Sequence, residues 1–161
     1  LHNPTGAVSP REEIEALAHF RYQLRRFERF SEVLTRKHGV TQLQYLLLLQ
    51  IKGFPQRDWV TIAELAERLQ AHHHGVVSLL TRCEKLGLVM RSTGRDDRRT
   101  VEVRLTPHGD ELVTLLAGLH RNELLSVQDV FAVPNRETLT LGVQEVEAAP
   151  IRGEGGGSGE A

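Results

Sequence analysis

The chain has 161 residues, 40% hydrophobic and 25% charged, with a formal net charge of −1 at neutral pH. That is room for one sizeable core rather than two, in a globular rather than a disordered chain. The longest unbroken apolar run, Tyr45 to Leu49, falls far short of the ~20 residues that span a bilayer, and a lone cysteine, Cys83, excludes an intrachain disulfide and a cysteine zinc site.

Residues 1–10 show neither the basic start nor the apolar stretch of a signal peptide, so a cytoplasmic location is the expectation. From about Pro10 to His38 the pattern predicts a long helix. Leu17, Phe20, Leu24, Phe27 and Leu34 form a coiled-coil-like seam with a gap at Ser31, and Gly39 ends it. Thr41 and Gln44 read as a capping box before Leu43–Ile51, a segment apolar nearly all round and hence a candidate centre of the fold. Gly53 and Pro55 stop it. Thr61 and Glu64 repeat the capping box before a short helix burying Ile62, Leu65, Ala66 and Leu69.

After a break at Gln70–His72, a second short helix carries Val76, Leu79, Leu80, Cys83 and Leu86 on one face and is capped by Gly87. The period then changes to two. Leu88–Arg91 reads as a strand and Ser92–Arg99 as a polar turn, and beyond it Val101, Val103 and Leu105, facing the core, alternate with Glu102 and Arg104. Thr106–Pro107 opens a helix running to about Phe131 with Leu112, Leu115, Leu116, Leu119, Leu124 and Val127. Pro134–Asn135 breaks it. A last helix is expected around Leu139, Val143 and Val146, and residues 151–161 form a Gly-rich, flexible tail.

Charge is unevenly placed along this layout. Arg91 to Arg104 holds five arginines against Asp96, Asp97 and Glu102, whereas Asn135 to Ala161 holds five glutamates against two arginines. Two short helices, a tight break and a hairpin make a winged helix-turn-helix. The fold class expected is therefore mainly α with a small β-hairpin, a winged helix-turn-helix DNA-binding lobe joined to further helices. Its divisions are 1–56 (N-terminal helices and core), 57–106 (DNA-binding lobe), 107–150 (C-terminal helices) and the tail, 151–161. A helix of ~10–12 Å diameter fits the ~12 Å major groove, and an arginine-tipped hairpin beside it suits the backbone or the minor groove.

Three segments carry a family resemblance: Thr61-Ile-Ala-Glu-Leu-Ala66, Glu84-Lys-Leu-Gly-Leu-Val89, and Asp97-Arg-Arg-Thr-Val-Glu-Val-Arg-Leu-Thr106 followed by Pro107-His108-Gly109. In this order and spacing the sequence resembles the MarR family of bacterial transcriptional regulators over roughly residues 15–131. The resemblance implies a homodimer with interlocking first and last helices, which makes 1–56 and 107–150 a helical dimerisation region, and double-stranded DNA, at a palindromic operator, as partner. It makes the helix from His73 to about Leu86 the recognition helix. Subtracting its buried face leaves His73, His74, Val77, Ser78, Thr81, Arg82 and Lys85 outward. His73, His74 and Ser78 stand early enough to touch bases, and Arg82 and Lys85 suit phosphates. By the same resemblance Asp97 and Arg99 brace the wing, and Arg95 and Arg98, with Arg99, are the candidates for reaching DNA. Where members often show Ser or Thr followed by Arg, this chain has Val77-Ser78, so the operator is not carried over.

Other chemistry is thinly supported. Neighbouring helical residues point ~100° apart, so His72-His73-His74 cannot converge on one ion, and His108 and His120 are too far apart on one helix to share one. No metal and no cofactor are expected. Cys83 sits on the buried stripe and reads as a small core residue; a redox-responsive regulator acting through it is one alternative, and a winged-helix protein–protein module without DNA is another. Many members of the resembled family bind small aromatic or anionic effectors. Here His19, Tyr22, Arg26 and Phe30, off the seam of the first helix, would offer an anion contact and a stacking surface, or else simply belong to core and interface. No phosphate loop, nucleophile elbow or paired carboxylates near a basic group suggest an enzyme. The function expected is a sequence-specific repressor relieved by a small ligand.

Overall fold

A computed structural model describes residues 9–127 together with 133, 134 and 139. Five helices and three strands follow in the order α1 (Pro10–Lys37), α2 (Gln42–Lys52), β1 (Trp59–Thr61), α3 (Ile62–Leu69), α4 (His73–Lys85), β2 (Val89–Thr93), β3 (Val101–Leu105) and α5 (Pro107–Ser126). Residues 20–127 belong to one compact unit, and the part of α1 before Phe20 falls outside it. The last helix expected around Val143 and Val146, and the Gly-rich tail, lie outside the described residues.

Local signals set most of the boundaries. Thr41 and Thr61 close capping boxes with Gln44 and Glu64, each hydroxyl accepting the backbone N–H three residues on. Thr106 caps α5 through the Gly109 N–H, with Pro107 in the first turn. After α4 the chain turns at Gly87 (φ +69°), where Gly87 N–H donates to the Glu84 carbonyl at 2.9 Å and Leu88 N–H to the Cys83 carbonyl at 3.0 Å. This paired closure needs a left-handed residue, and glycine adopts that conformation without a Cβ penalty.

The sheet has the order β1-β3-β2, antiparallel throughout, with Val60 opposite Val103 and Val89 opposite Leu105. The hairpin expected from sequence is thus the larger part of a three-stranded sheet, because Trp59–Thr61 adds a short strand outside it. The core gathers Leu47, Leu48 and Ile51 of α2 with Val60, Leu65, Val76, Leu79, Leu80, Cys83, Leu88, Val103, Val113 and Leu116. Gly109 explains the tight seating of α5: a Cβ there would lie 2.0 Å from the Leu88 carbonyl oxygen.

Several faces differ from expectation. On α1 the buried residues are Gln23, Ser31 and Thr35, while Leu17 is exposed and Phe20, Leu24, Phe27 and Leu34 are half-buried. The gap at Ser31 is a polar contact: its Oγ lies 2.8 Å from Nε2 of buried His120, whose ring stacks on Tyr45 at 4.4 Å. Leu86 is exposed at the C-cap of α4, where the helix ends at Lys85, one residue before the Gly87 turn. In β3 the alternation is inverted at the tip, where Val101 is exposed and Glu102 buried. Here charge pairing with Arg104, rather than apolar packing, determines which side is covered. Leu115 and Leu124 of α5 are exposed, leaving Val113 and Leu116 to face the core.

Candidate nucleic-acid interface

The recognition-helix candidate is α4, about 20 Å long at 1.5 Å per residue. Its inward face, Val76, Leu79, Leu80 and Cys83, is buried. His73, His74, Ser78, Arg82 and Lys85 are exposed, and Val77 and Thr81 are half-buried on the flank nearest the hairpin. His72 occupies the N-cap without a side-chain cap bond, and no acidic residue stands in the first turn. The rings of His72 and His74 stack on each other with centroids 5.8 Å apart. Among the described residues no group of three His, Cys, Asp or Glu is arranged to hold a metal ion.

The wing is β2, β3 and the turn between them. Gly94 N–H donates to the Thr100 carbonyl at 2.7 Å, Thr100 N–H to the Asp97 carbonyl at 3.0 Å, and Arg99 N–H to Asp97 Oδ1 at 2.9 Å. Asp97 Oδ1 thus accepts the Arg99 backbone N–H in the manner of an Asx-turn. Arg95, Arg98 and Arg99 are exposed, and none forms an ion pair with a described residue. The tip thus presents three exposed guanidinium groups that pair with no carboxylate among the described residues, on a chain whose net charge is −1.

Two polar clusters that sequence reasoning missed hold the wing against the fold. Arg91 Nε and Nη2 reach the two Glu84 carboxylate oxygens at 2.9 and 2.5 Å, tying β2 to α4. Glu102 accepts Arg104 Nη2 at 2.9 Å and the Arg95 backbone N–H at 3.4 Å, and Arg104 Nη1 reaches Asp58 at 2.5 Å. The Arg91 guanidinium holds the Glu84 carboxyl below its usual value, and Glu84 in turn raises Arg91. The hydrogen bond from Arg104 lowers Asp58. Ahead of α3, burial works to raise Glu64, but the Thr61 amide and Arg57 together bring it below its ordinary value. Arg57 also lies 4.0 Å over the Trp59 ring and 4.4 Å over Phe54. The only sequence signal for the first cluster is opposite charges on either side of the Gly87 turn.

Of the effector candidates, Arg26 and Phe30 line one small cavity of about 140 Å³ with Gln23, Phe27, Glu123 and Val127. Tyr22 lies outside it, largely exposed, with Arg26 at 5.9 Å from its ring centre. His19 is exposed and does not line that cavity. Cys83 is fully buried, and burial pushes its thiol up to about 11. No described helix is long and apolar enough to cross a membrane.

Known proteins bear on this geometry. A MarR family model matches residues 38–100. The HTH-type transcriptional repressor MdtR of Bacillus subtilis is 31% identical over 83 residues, which are 51% of this chain and 52% of that protein. The chain spans about half the length of the curated relatives it matches. Among solved structures, AbsC, a MarR family transcriptional regulator from Streptomyces coelicolor, superposes with a TM-score of 0.66 at 22% identity, covering 79% of this chain and 84% of that one. A MepR variant of Staphylococcus aureus bound to an oligodeoxyribonucleotide gives a TM-score of 0.58 at 20% identity, covering 70% and 81%. At these identities the structural likeness speaks for the fold.

Proposed function

We propose that the chain, whose residues 38–100 match a MarR family model and which is similar to the repressor MdtR, is a homodimeric, sequence-specific DNA-binding regulator, acting in the cytoplasm as a repressor of a palindromic operator. One observation carries the reading: the exposed outer face of α4 and three exposed arginines at the wing tip, without an ion pair among the described residues, lie on one winged helix. His73, His74 and Ser78 meet base edges in the major groove. Arg82, Lys85, Arg95, Arg98 and Arg99 meet phosphates or the minor groove, with Asp97 holding the turn that presents them. Residues 57–106 are the DNA-binding lobe. Dimerisation falls to residues 1–56 and 107–150, supported by exposed Tyr22 and Val33 on α1 and Leu115, Leu124 and Leu125 on α5.

Relief by a ligand follows from population shift. Two recognition helices must stand about one DNA turn apart, ~34 Å, to enter successive major grooves. A small aromatic or anionic effector that binds better to a dimer of different spacing lowers affinity by its differential affinity, and a coupling of ~1–3 kcal/mol gives roughly 5–150-fold relief. The Arg26–Phe30 cavity is the candidate site. A redox response through Cys83 is disfavoured, since a buried thiol near 11 is almost wholly protonated at neutral pH.

The test is fluorescence anisotropy of the full chain with a random-sequence duplex at 50–200 mM salt. Binding that weakens steeply with salt supports the reading, and absence of binding at 50 mM overturns it in favour of a protein–protein module.

A further inference from the structure

Five arginines lie from Arg91 to Arg104, and the sequence gives Arg91 no role distinct from that of the tip. We propose that Arg91 is a positioning residue: it sets the angle of the wing against α4 through Glu84 and Thr81, and does not meet DNA. The inference rests on the DNA-binding reading above and assigns one residue within it.

The geometry is a fork on a fork. Nε donates to Glu84 Oε1 at 2.9 Å and Nη2 to Oε2 at 2.5 Å, a bidentate pairing that fixes the guanidinium plane against the carboxylate. Nη2 also reaches Thr81 Oγ1 at 3.4 Å. Thr81 donates its own hydroxyl proton to the Val77 carbonyl at 3.0 Å, so its oxygen is free to accept from Arg91. Arg91 and Glu84 side chains are 28% and 29% exposed, whereas Arg95, Arg98 and Arg99 stand out in solvent. Screening by solvent is therefore partial, and the pair presents no net charge to a phosphate. Both residues on α4 lie on the flank facing the wing, one turn from each other, and Thr81 adjoins the face proposed to read bases. The contact thus links wing angle to reading face. Lysine offers a point charge and cannot reproduce the two parallel bonds.

Three variants separate positioning from contact, with anisotropy on a random-sequence duplex between 50 and 200 mM salt as the readout. Positioning predicts that Arg91→Lys and Arg91→Ala weaken binding alike, on the order of tenfold, with the slope of log affinity against log salt unchanged. It predicts that Glu84→Gln also weakens binding, although that change frees a cation. A direct phosphate contact predicts the reverse: Lys retains binding, Ala flattens the slope by about 0.9 per phosphate lost, and Glu84→Gln binds as well or better. The charge-reversed pair Glu84→Arg/Arg91→Glu should recover binding that each single reversal loses. Should Arg91→Ala fail to fold by circular dichroism, Glu84→Gln and Arg91→Lys still decide. Wild-type protein that binds no duplex would overturn the functional reading; wild-type binding with Arg91→Lys indistinguishable from it would overturn this inference alone.

Discussion

Ser31→Ala removes the hydroxyl that joins α1 to the buried ring of His120. His120 Nδ1 lies 2.7 Å from the Leu116 carbonyl, which can only accept, so a ring with a single N–H carries it on Nδ1 and accepts from Ser31 Oγ, 2.8 Å from Nε2. Ser31 is 2% and His120 6% exposed, and the ring is enclosed by Tyr45, Phe27 and Phe30. Without the hydroxyl, Nε2 faces aromatic edges with no partner. An unsatisfied buried acceptor costs about 1–3 kcal/mol, which for a chain of this size lowers the melting temperature by roughly 2–12 °C. His120→Phe in the same background keeps the stack on Tyr45 and removes the orphaned nitrogen. The double variant should therefore be more stable than the two single losses sum to, by a coupling of about 0.5–3 kcal/mol. Thermal and urea melts by circular dichroism of the four proteins measure this. Additive losses, or Ser31→Ala within about 0.5 kcal/mol of wild type, would refute the claim that these groups satisfy each other.

Two glycines should respond with opposite signs. Gly75→Ala, in open space in the first turn of α4, should stabilise by about 0.5–1 kcal/mol, whereas Gly109→Ala, against the Leu88 carbonyl, should cost about 1–3 kcal/mol or more; melts of both check this. Cys83, near 11 against an ordinary 9.0, should hold about a hundredfold less thiolate than an exposed cysteine and resist iodoacetamide at pH 8 until urea unfolds the chain. Labelling of native protein at the rate of free cysteine would contradict its burial. Because Glu84 is lowered in the folded chain, its contribution is present above its ordinary 4.5 and is lost as pH falls through the lower folded value. Melts at pH 7 and pH 3 should show a smaller acid-induced loss in Glu84→Gln than in wild type, and equal losses would count against the pairing. In duplex binding, Arg98→Ala should weaken all sequences alike with a shallower salt slope, while His74→Ala and Ser78→Ala should change which bases are preferred.

Most of the fold was legible because its signals are local. Capping boxes at Thr41 and Thr61, the Gly87 turn and Thr106–Pro107 act within a few residues, and the inward stripe of α4 follows from one helical period. Subtracting that stripe left His73, His74, Ser78, Arg82 and Lys85 exposed, as they are; their contact with DNA is the proposal. What stayed hidden depends on partners far away in sequence. Ser31 meets His120 across 89 residues, and Arg104 meets Asp58 across 46. Glu102 was read as outward by period-two alternation, but at the wing tip the carboxylate bound to Arg104 and the Arg95 amide is covered while Val101 is exposed. Trp59–Thr61 was too short for a periodic signal, and its place as a strand comes from pairing with β3.

The most direct test of the central claim is selection of duplexes bound by the full chain from a random pool. Sequence-specific reading by a dimer predicts an enriched palindrome whose half-sites are centred about 10–10.5 base pairs apart, with enrichment lost when His74 and Ser78 are both replaced by alanine. A bound pool with no enriched palindrome would contradict it.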